Sequence, residues 1–290
     1  MRLIVKFNLV FVAVFLMGLG TAAYVADRLL QHNAREEMQH SARLIMEAAL
    51  ATRGYTSSQV GPLLQTQMKY GFLPQSVPAY SASEVFNGLR KKFPEYTYKE
   101  ATLNPTNPRN RAVDWETDVV NQFRNYPDHT EIVGERDTPA GRLLYIARPI
   151  QIRDPNCLAC HSTVDVAPKT LIDLYGPANG FGWKLNEIIG AQVVSVPTEV
   201  PTQRARTVFR SFMLSLAGVF VIVGIVLNVM LVSMVILPVS RLAKLADQVS
   251  LGNMDVPDFQ ARSRDEIRML ADSFNRMKKS VVQAMKLLGE

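Results

Sequence analysis

Hydrophobic and polar positions divide this chain into stretches of different period. The first is an uncharged run at residues 7–26, FNLVFVAVFLMGLGTAAYVA, preceded by Arg2 and Lys6. About 20 apolar helical residues cross a hydrocarbon core of ~30 Å. A cleaved signal peptide is the rival reading, because GTAAYVA has the small residues of a cleavage site. The run is longer than a usual signal core, and the helical pattern continues past it, so an uncleaved anchor is expected. A second uncharged run, residues 211–237, is long enough to span with some tilt.

The stretch between these runs mixes periods. Over residues 29–52, Leu30, Met38, Ala42, Ile45 and Ala49 recur at helical spacing. Gly54 and the Gly61–Pro62 pair end that helix or kink its continuation. Ser81 with Glu84 has the form of a capping box and predicts a helix over 82–92. YTYKEATL at 96–103 alternates like a strand, NPTNPRN at 104–110 is turn-rich, and Asp114 stands where a helix cap is expected. EIVGERD, RLLYIARPIQI and AQVVSVP, from Glu131, Arg142 and Ala191, predict three more strands. That order predicts an α+β domain, a small antiparallel sheet with its helices on one face.

Past the second run, Leu242, Leu245 and Val249 form a short stripe that Gly252 breaks. After Asp265, the residues Ile267, Leu270, Phe274, Met277, Val281 and Ala284 recur at spacings of 3, 4, 3, 4 and 3. This is a heptad seam. Two short amphipathic helices bury little alone; a parallel homodimer makes them a four-helix bundle.

Composition adds two constraints. Apolar residues make up 48% of the chain, and many lie in the two uncharged runs, so the rest is ordinary for a water-facing domain. Net charge is +6, but the basic residues are scattered, with no Lys/Arg stripe interleaved with aromatics. No nucleic-acid partner is expected. Arg2 and Lys6 before the first run, and Arg241, Lys244, Arg262, Arg264 and Arg268 after the second, favour cytoplasmic termini. Arg204, Arg206 and Arg210 at the other end of the second run pull the opposite way.

PNCLACHST, residues 155–163, holds the chain's two cysteines, Cys157 and Cys160, with His161 adjoining. C-x-x-C-H is the spacing for covalent haem attachment. Two thiols add to the two vinyl groups, and the adjacent imidazole reaches the iron. A redox dithiol would open a helix in a thioredoxin-like βαβ setting, whereas RPIQIRDPN here reads as a strand ending in a turn. Zinc wants four ligands, and a disulfide across two residues is strained. One covalent haem c is expected, with His161 as the proximal iron ligand. In bacteria that chemistry occurs outside the cytoplasm, which puts the middle segment in the periplasm and both termini in the cytoplasm. Met68, His129 and Tyr80 are the candidates for the second axial position; an open site that takes a gas is the other arrangement. YGPANGFGWKLNEIIGAQ, at 175–192, has two readings: its glycines allow a close backbone approach to the macrocycle, with Phe181 and Trp183 packing on it, or it is a tight loop with a small apolar cluster.

Two resemblances rest on these residues. Pro238, Gly252 and Asp265–Glu266 with Leu270, a D-E-x-x-x-L signature, resemble a HAMP domain, which implies a relay from a membrane helix to a cytoplasmic output. NPTNPRN with Trp115–Glu116, RPIQI before the cysteine motif, and GAQVVSVP resemble the periplasmic PAS-like monohaem c-type sensor domains. That resemblance implies a PAS-like fold over roughly residues 78–197. Some members use a cysteine as distal ligand, and none stands outside the motif here.

The expected division is residues 1–29 for the cytoplasmic tip and first span, 30–208 for the periplasmic haem domain, 209–237 for the second span and 238–290 for HAMP. The expected role is a homodimeric inner-membrane sensor. It would pass a redox or small-ligand signal to a separate cytoplasmic partner, since no output domain follows HAMP. A membrane-tethered cytochrome for electron transfer is the alternative. No distal His/Arg pair has a suggestive spacing, so no catalytic residue is assigned.

Overall fold

The computed structural model describes residues 3–139, 141–260 and 265–288; Arg2, Arg262 and Arg264 of the charge argument lie outside the described residues. In chain order come α1 (Leu3–Tyr55), α2 (Pro78–Arg90), β1 (Thr97–Thr102), α3 (Asp114–Asn125), β2 (Ile132–Thr138) and β3 (Gly141–Gln151). They are followed by α4 (Lys169–Tyr175), β4 (Ile188–Pro197), α5 (Glu199–Met230), α6 (Leu237–Ser250) and α7 (Glu266–Leu288). Contacts divide the chain into two units, Arg28–Val208 on one hand and Met1–Asp27 with Phe209–Glu290 on the other.

The Arg28–Val208 unit is built on a four-stranded antiparallel sheet in the order β1-β4-β3-β2. Side chains alternate across its plane. Tyr98, Leu144, Ile146, Val194 and Val196 point to one face, where they bury Met38, Ala42, Met46 and Ala49 of α1 and Ala82 and Phe86 of α2. Ala101, Ala147, Ala191 and Val193 point to the other, against Val119, Val120 and Phe123 of α3. The expected one-sided arrangement is therefore corrected: helices cover both faces. β4 is central and buried along nearly its whole length, which is why IIGAQVV carries no polar alternation.

Outside that core, charge pairs tie α1 to the sheet. Glu131 accepts from Arg43 (3.0 Å) and Arg148 (3.1 Å), and Arg148 also reaches Glu47 (2.7 Å). Two cap expectations fail. Pro78, whose φ is preset for a first helical turn, starts α2 earlier than the Ser81 box predicts; the Ser81 hydroxyl donates instead to the Gln75 carbonyl, and Glu84 pairs with Arg109. Asp114 lies inside α3; Val113 is the cap residue, and its N–H donates to the Glu116 carboxylate (2.9 Å).

In the other unit, two helices are long and apolar enough to cross a membrane, with mean hydropathies of 2.2 and 2.9 over their apolar windows. Phe15 meets Phe220 edge-on at 4.4 Å between centroids. Between α5 and α6 the helix widens into a π-helical stretch, Leu231–Ile236, shortly before Pro238; Thr56–Val60 precedes Pro62 in the same way. A proline removes one N–H donor from the helical ladder, and a wider turn accommodates the loss. Beyond α6, Gly252 turns the chain at φ +93°. The connector then packs Val256 against Leu242, Val249 and Phe274. Asn275 exchanges two hydrogen bonds of 3.0 Å with the Phe259 backbone, and Lys278 donates to the Val256 carbonyl (2.7 Å). The predicted seam splits. Phe274 faces the connector, whereas Leu270, Met277 and Val281 are exposed in the single chain.

Gly190 is where β1 and β4 approach too closely for a side chain: an added Cβ would press on the Ala101 carbonyl oxygen and lie 3.0 Å from Thr102 Cα. Gly190→Ala should therefore cost about 1–3 kcal/mol. Thermal unfolding followed by circular dichroism measures it, with Gly88→Ala, which meets nothing within 4 Å, as the tolerated control.

Candidate cofactor site around Cys157, Cys160 and His161

The motif lies in an excursion between β3 and β4. Its base is closed by two backbone bonds, Ile152 N–H to Glu187 O (2.9 Å) and Asn186 N–H to Ile152 O (2.7 Å). Asp154 starts the motif by accepting from the Asn156 N–H (2.9 Å), and a short 3₁₀ turn, Pro155–Cys157, leads into one α-helical turn, Leu158–His161. Residues three and four apart share a helix face. Cys157, Cys160 and His161 therefore project from the same side of a single turn.

Both cysteines are free, half-buried thiols. Burial pushes each above its ordinary pKa; Asp154 adds to the effect on Cys157, and each thiol is therefore a neutral S–H at neutral pH. Arg53 at the end of α1 acts on Cys157 in the opposite direction. That guanidinium is itself held by Glu100, a buried carboxylate that also accepts from the Tyr98 hydroxyl (2.8 Å). Burial opposes the Arg53 charge, but the Glu100 carboxylate beside it keeps its pKa raised.

His161 Nδ1 lies 2.7 Å from the Gly180 carbonyl oxygen. A carbonyl only accepts, so Nδ1 carries the proton and Nε2 keeps its lone pair. Burial holds the imidazole below its ordinary pKa, against the pull of that bond, and so favours the neutral ring an iron requires. Trp183 stacks on the imidazole, with centroids 3.9 Å apart and planes within 18°. The Trp183 main-chain N–H donates back to the His161 carbonyl (3.1 Å).

The Asn-Pro loop completes this frame, a role that its turn-forming residues do not announce in the sequence. Asn104 donates to the Phe181 carbonyl (3.2 Å) and accepts from the Gly180 N–H (3.3 Å), while Thr106 Oγ1 lies 3.4 Å from His161 Nδ1. Gly180 has φ +87°, and an added Cβ would collide with Thr106. Glycine is needed there because the Asn-Pro loop closes over it. Within the glycine-rich segment, Gly180 and Trp183 contact the motif histidine, and Phe181 gives its carbonyl to Asn104.

The distal candidates all have other partners. Met68 Sδ accepts from the Leu73 N–H (3.1 Å), and its carbonyl accepts from Thr170 of α4 (3.3 Å). Tyr80 lies under the Arg109 guanidinium, 4.8 Å from ring centre to carbon. His129 is exposed and stacks on Tyr126 at 5.4 Å. Among the described residues, no group of three or more His, Cys, Asp and Glu side chains is disposed to hold a bare metal ion. Two sulfurs and one imidazole on a single turn suit a flat group that carries its own metal.

The Tll0287-like family profile matches residues 31–197, and a HAMP domain profile matches residues 230–283. Among solved structures, the chain is similar to one titled as the cyanobacterial haem protein Tll0287, at 17% identity and TM-score 0.37, over 57% of this chain and 91% of that one. No curated protein matches the chain. Since the first profile covers more than half of the 290 residues, the chain belongs to the Tll0287-like family, with a HAMP domain following.

Proposed function

We propose that residues 30–208 form a periplasmic, PAS-like domain carrying one covalent haem c, and that the chain is a membrane sensor that signals through HAMP. The observation that carries this reading is the presentation of Cys157, Cys160 and His161 on one helical turn, with His161 Nδ1 already committed to Gly180. Cys157 and Cys160 would hold the group through thioethers, each S–H adding across a vinyl double bond with the hydrogen going to the other carbon, and His161 Nε2 would donate to the iron. Family membership supports haem as the ligand, because the family takes its name from a protein described as a haem protein. When bound, the group supplies a one-electron redox change or a site for an axial ligand. Met68, His129 and Tyr80 are retained as donors for the second position beside an open site.

The Tll0287-like domain followed by HAMP fits a sensor rather than a catalyst, and two candidate membrane helices flank the central domain. Covalent haem attachment outside the cytoplasm gives an inner-membrane protein with both termini cytoplasmic. The relay works as a homodimer, with Leu270, Met277 and Val281 covered by a second copy, and passes the signal to a cytoplasmic partner. An electron-transfer tether would have no use for a HAMP domain, and the HAMP match is what favours signalling over that alternative.

The test uses Met277→Cys in membrane vesicles, because Met277 is exposed in the single chain. Crosslinking between copies should proceed at rates that differ several-fold between oxidised and reduced protein. Equal rates in both states would favour the electron carrier.

A further inference from the structure

The first inference rests on the haem reading and concerns Trp183. An imidazole held at Nδ1 by one hydrogen bond can still swing about the iron–nitrogen axis, and the angle it takes sets the electronic anisotropy of a ferric haem. Two contacts restrain His161 beyond its Gly180 bond: the Trp183 indole at 3.9 Å and nearly parallel, and Thr106 Oγ1 at 3.4 Å from Nδ1. The backbone that carries the indole is itself anchored, because the Trp183 main-chain N–H bonds to the His161 carbonyl (3.1 Å) and the Gly182 N–H to the Ser162 carbonyl (2.8 Å). We propose that Trp183 is a positioning residue that fixes the plane of the axial imidazole.

Electron paramagnetic resonance of the ferric full-length protein tests this. Trp183→Leu should shift or broaden the g-value spread of the wild-type signal, and Trp183→Phe, which keeps an aromatic face, should restore most of it. If Trp183→Leu does not mature with haem, Trp183→Phe and Trp183→Tyr give the reading, with a graded departure from wild type expected. Signals indistinguishable from wild type in every haem-loaded variant would overturn the assignment. A wild-type protein without covalent haem would instead defeat the functional reading itself.

A second inference stands independently, on the unit that contains both apolar runs. Asn8 and Asn228 exchange two hydrogen bonds of 2.8 Å, Nδ2 to Oδ1 in each direction. Their remaining amide hydrogens go to the carbonyls of Ile4 and Gly224, each at 2.9 Å. One helix turn further on, the Phe11 ring packs on Gly224, where an added Cβ would lie 3.0 Å from the ring; one turn beyond that, Phe15 meets Phe220. The pairs 8–228, 11–224 and 15–220 follow a single antiparallel register. Apolar contacts between helices tolerate sliding, whereas a reciprocal amide pair in an apolar medium forms at one alignment only. A slip of one turn, about 5.4 Å, would break both cross-helix bonds and leave the Oδ1 and one N–H of each amide without a partner. We infer that Asn8 and Asn228 are a register lock joining the two spans of one chain just before the π-helical stretch at Leu231–Ile236.

Cysteine pairs in the full-length protein in lipid bilayers test the lock with both asparagines intact. Phe15→Cys with Phe220→Cys should crosslink within one chain several-fold faster than the slipped pairs Phe15→Cys with Leu216→Cys or with Gly224→Cys. Adding Asn8→Leu should erase that preference. If that variant fails to insert, Asn8→Leu with Asn228→Leu removes both amides at once and should show the same loss. A preference that survives loss of the amides, or crosslinks that form between chains, would overturn the lock.

Discussion

The bond from His161 Nδ1 to the Gly180 carbonyl, at 2.7 Å, is the constraint on which the site rests. It chooses the tautomer, and with it the nitrogen left to act as a donor. It also requires a backbone carbonyl close to the imidazole, which in turn requires glycine at 180. Thr106 fills the space a side chain there would occupy, and Asn104 grips the same segment from either side of the Gly180–Phe181 peptide. A chain segment 55 residues before His161 is thereby made part of its surroundings. Change the Asn-Pro loop, and the carbonyl that orients the histidine loses its support.

The sheet gives this arrangement a fixed base. The excursion bearing the motif leaves from β3 and returns into β4, the strand buried on both faces. Beside Cys157 stands Arg53, near the end of the helix whose earlier residues form the first apolar run. After β4, the Thr198 hydroxyl donates to the Arg142 carbonyl (2.8 Å) and fixes the start of α5. Both helices that enter the apolar runs are thus tied to the sheet domain by polar contacts, one through Glu100 and the other through β3.

The parts that were legible in the sequence are those set by local period. Uncharged runs of 20 residues or more, alternating strands and a 3-4 seam are repeated signals, and β1–β4 and the helices of both units other than α4 lie close to where the sequence puts them. Single-residue signals failed where a competitor was present. Ser81 looked like a cap, but Pro78 starts the helix, and Glu84 is taken by Arg109. Coverage on both sheet faces was readable in principle from IIGAQVV, which lacks alternation. The spacing of the cysteine motif points to one chemistry, but nothing in the sequence points to the partners of His161. Asn104 and Thr106 reach the site only through the fold, and a turn-forming loop carries no mark of what it folds against.

The central claim is that the two sulfurs of residues 157 and 160 form covalent links to a porphyrin while His161 supplies the axial nitrogen. Mass spectrometry of the denatured, intact full-length chain, expressed with a working cytochrome-maturation system, tests it most directly. The account predicts a polypeptide heavier by one haem, with the pigment retained in acidic acetone and lost when both cysteines are replaced by serine. A chain of unmodified mass, or a pigment that extracts into the acetone, would contradict it.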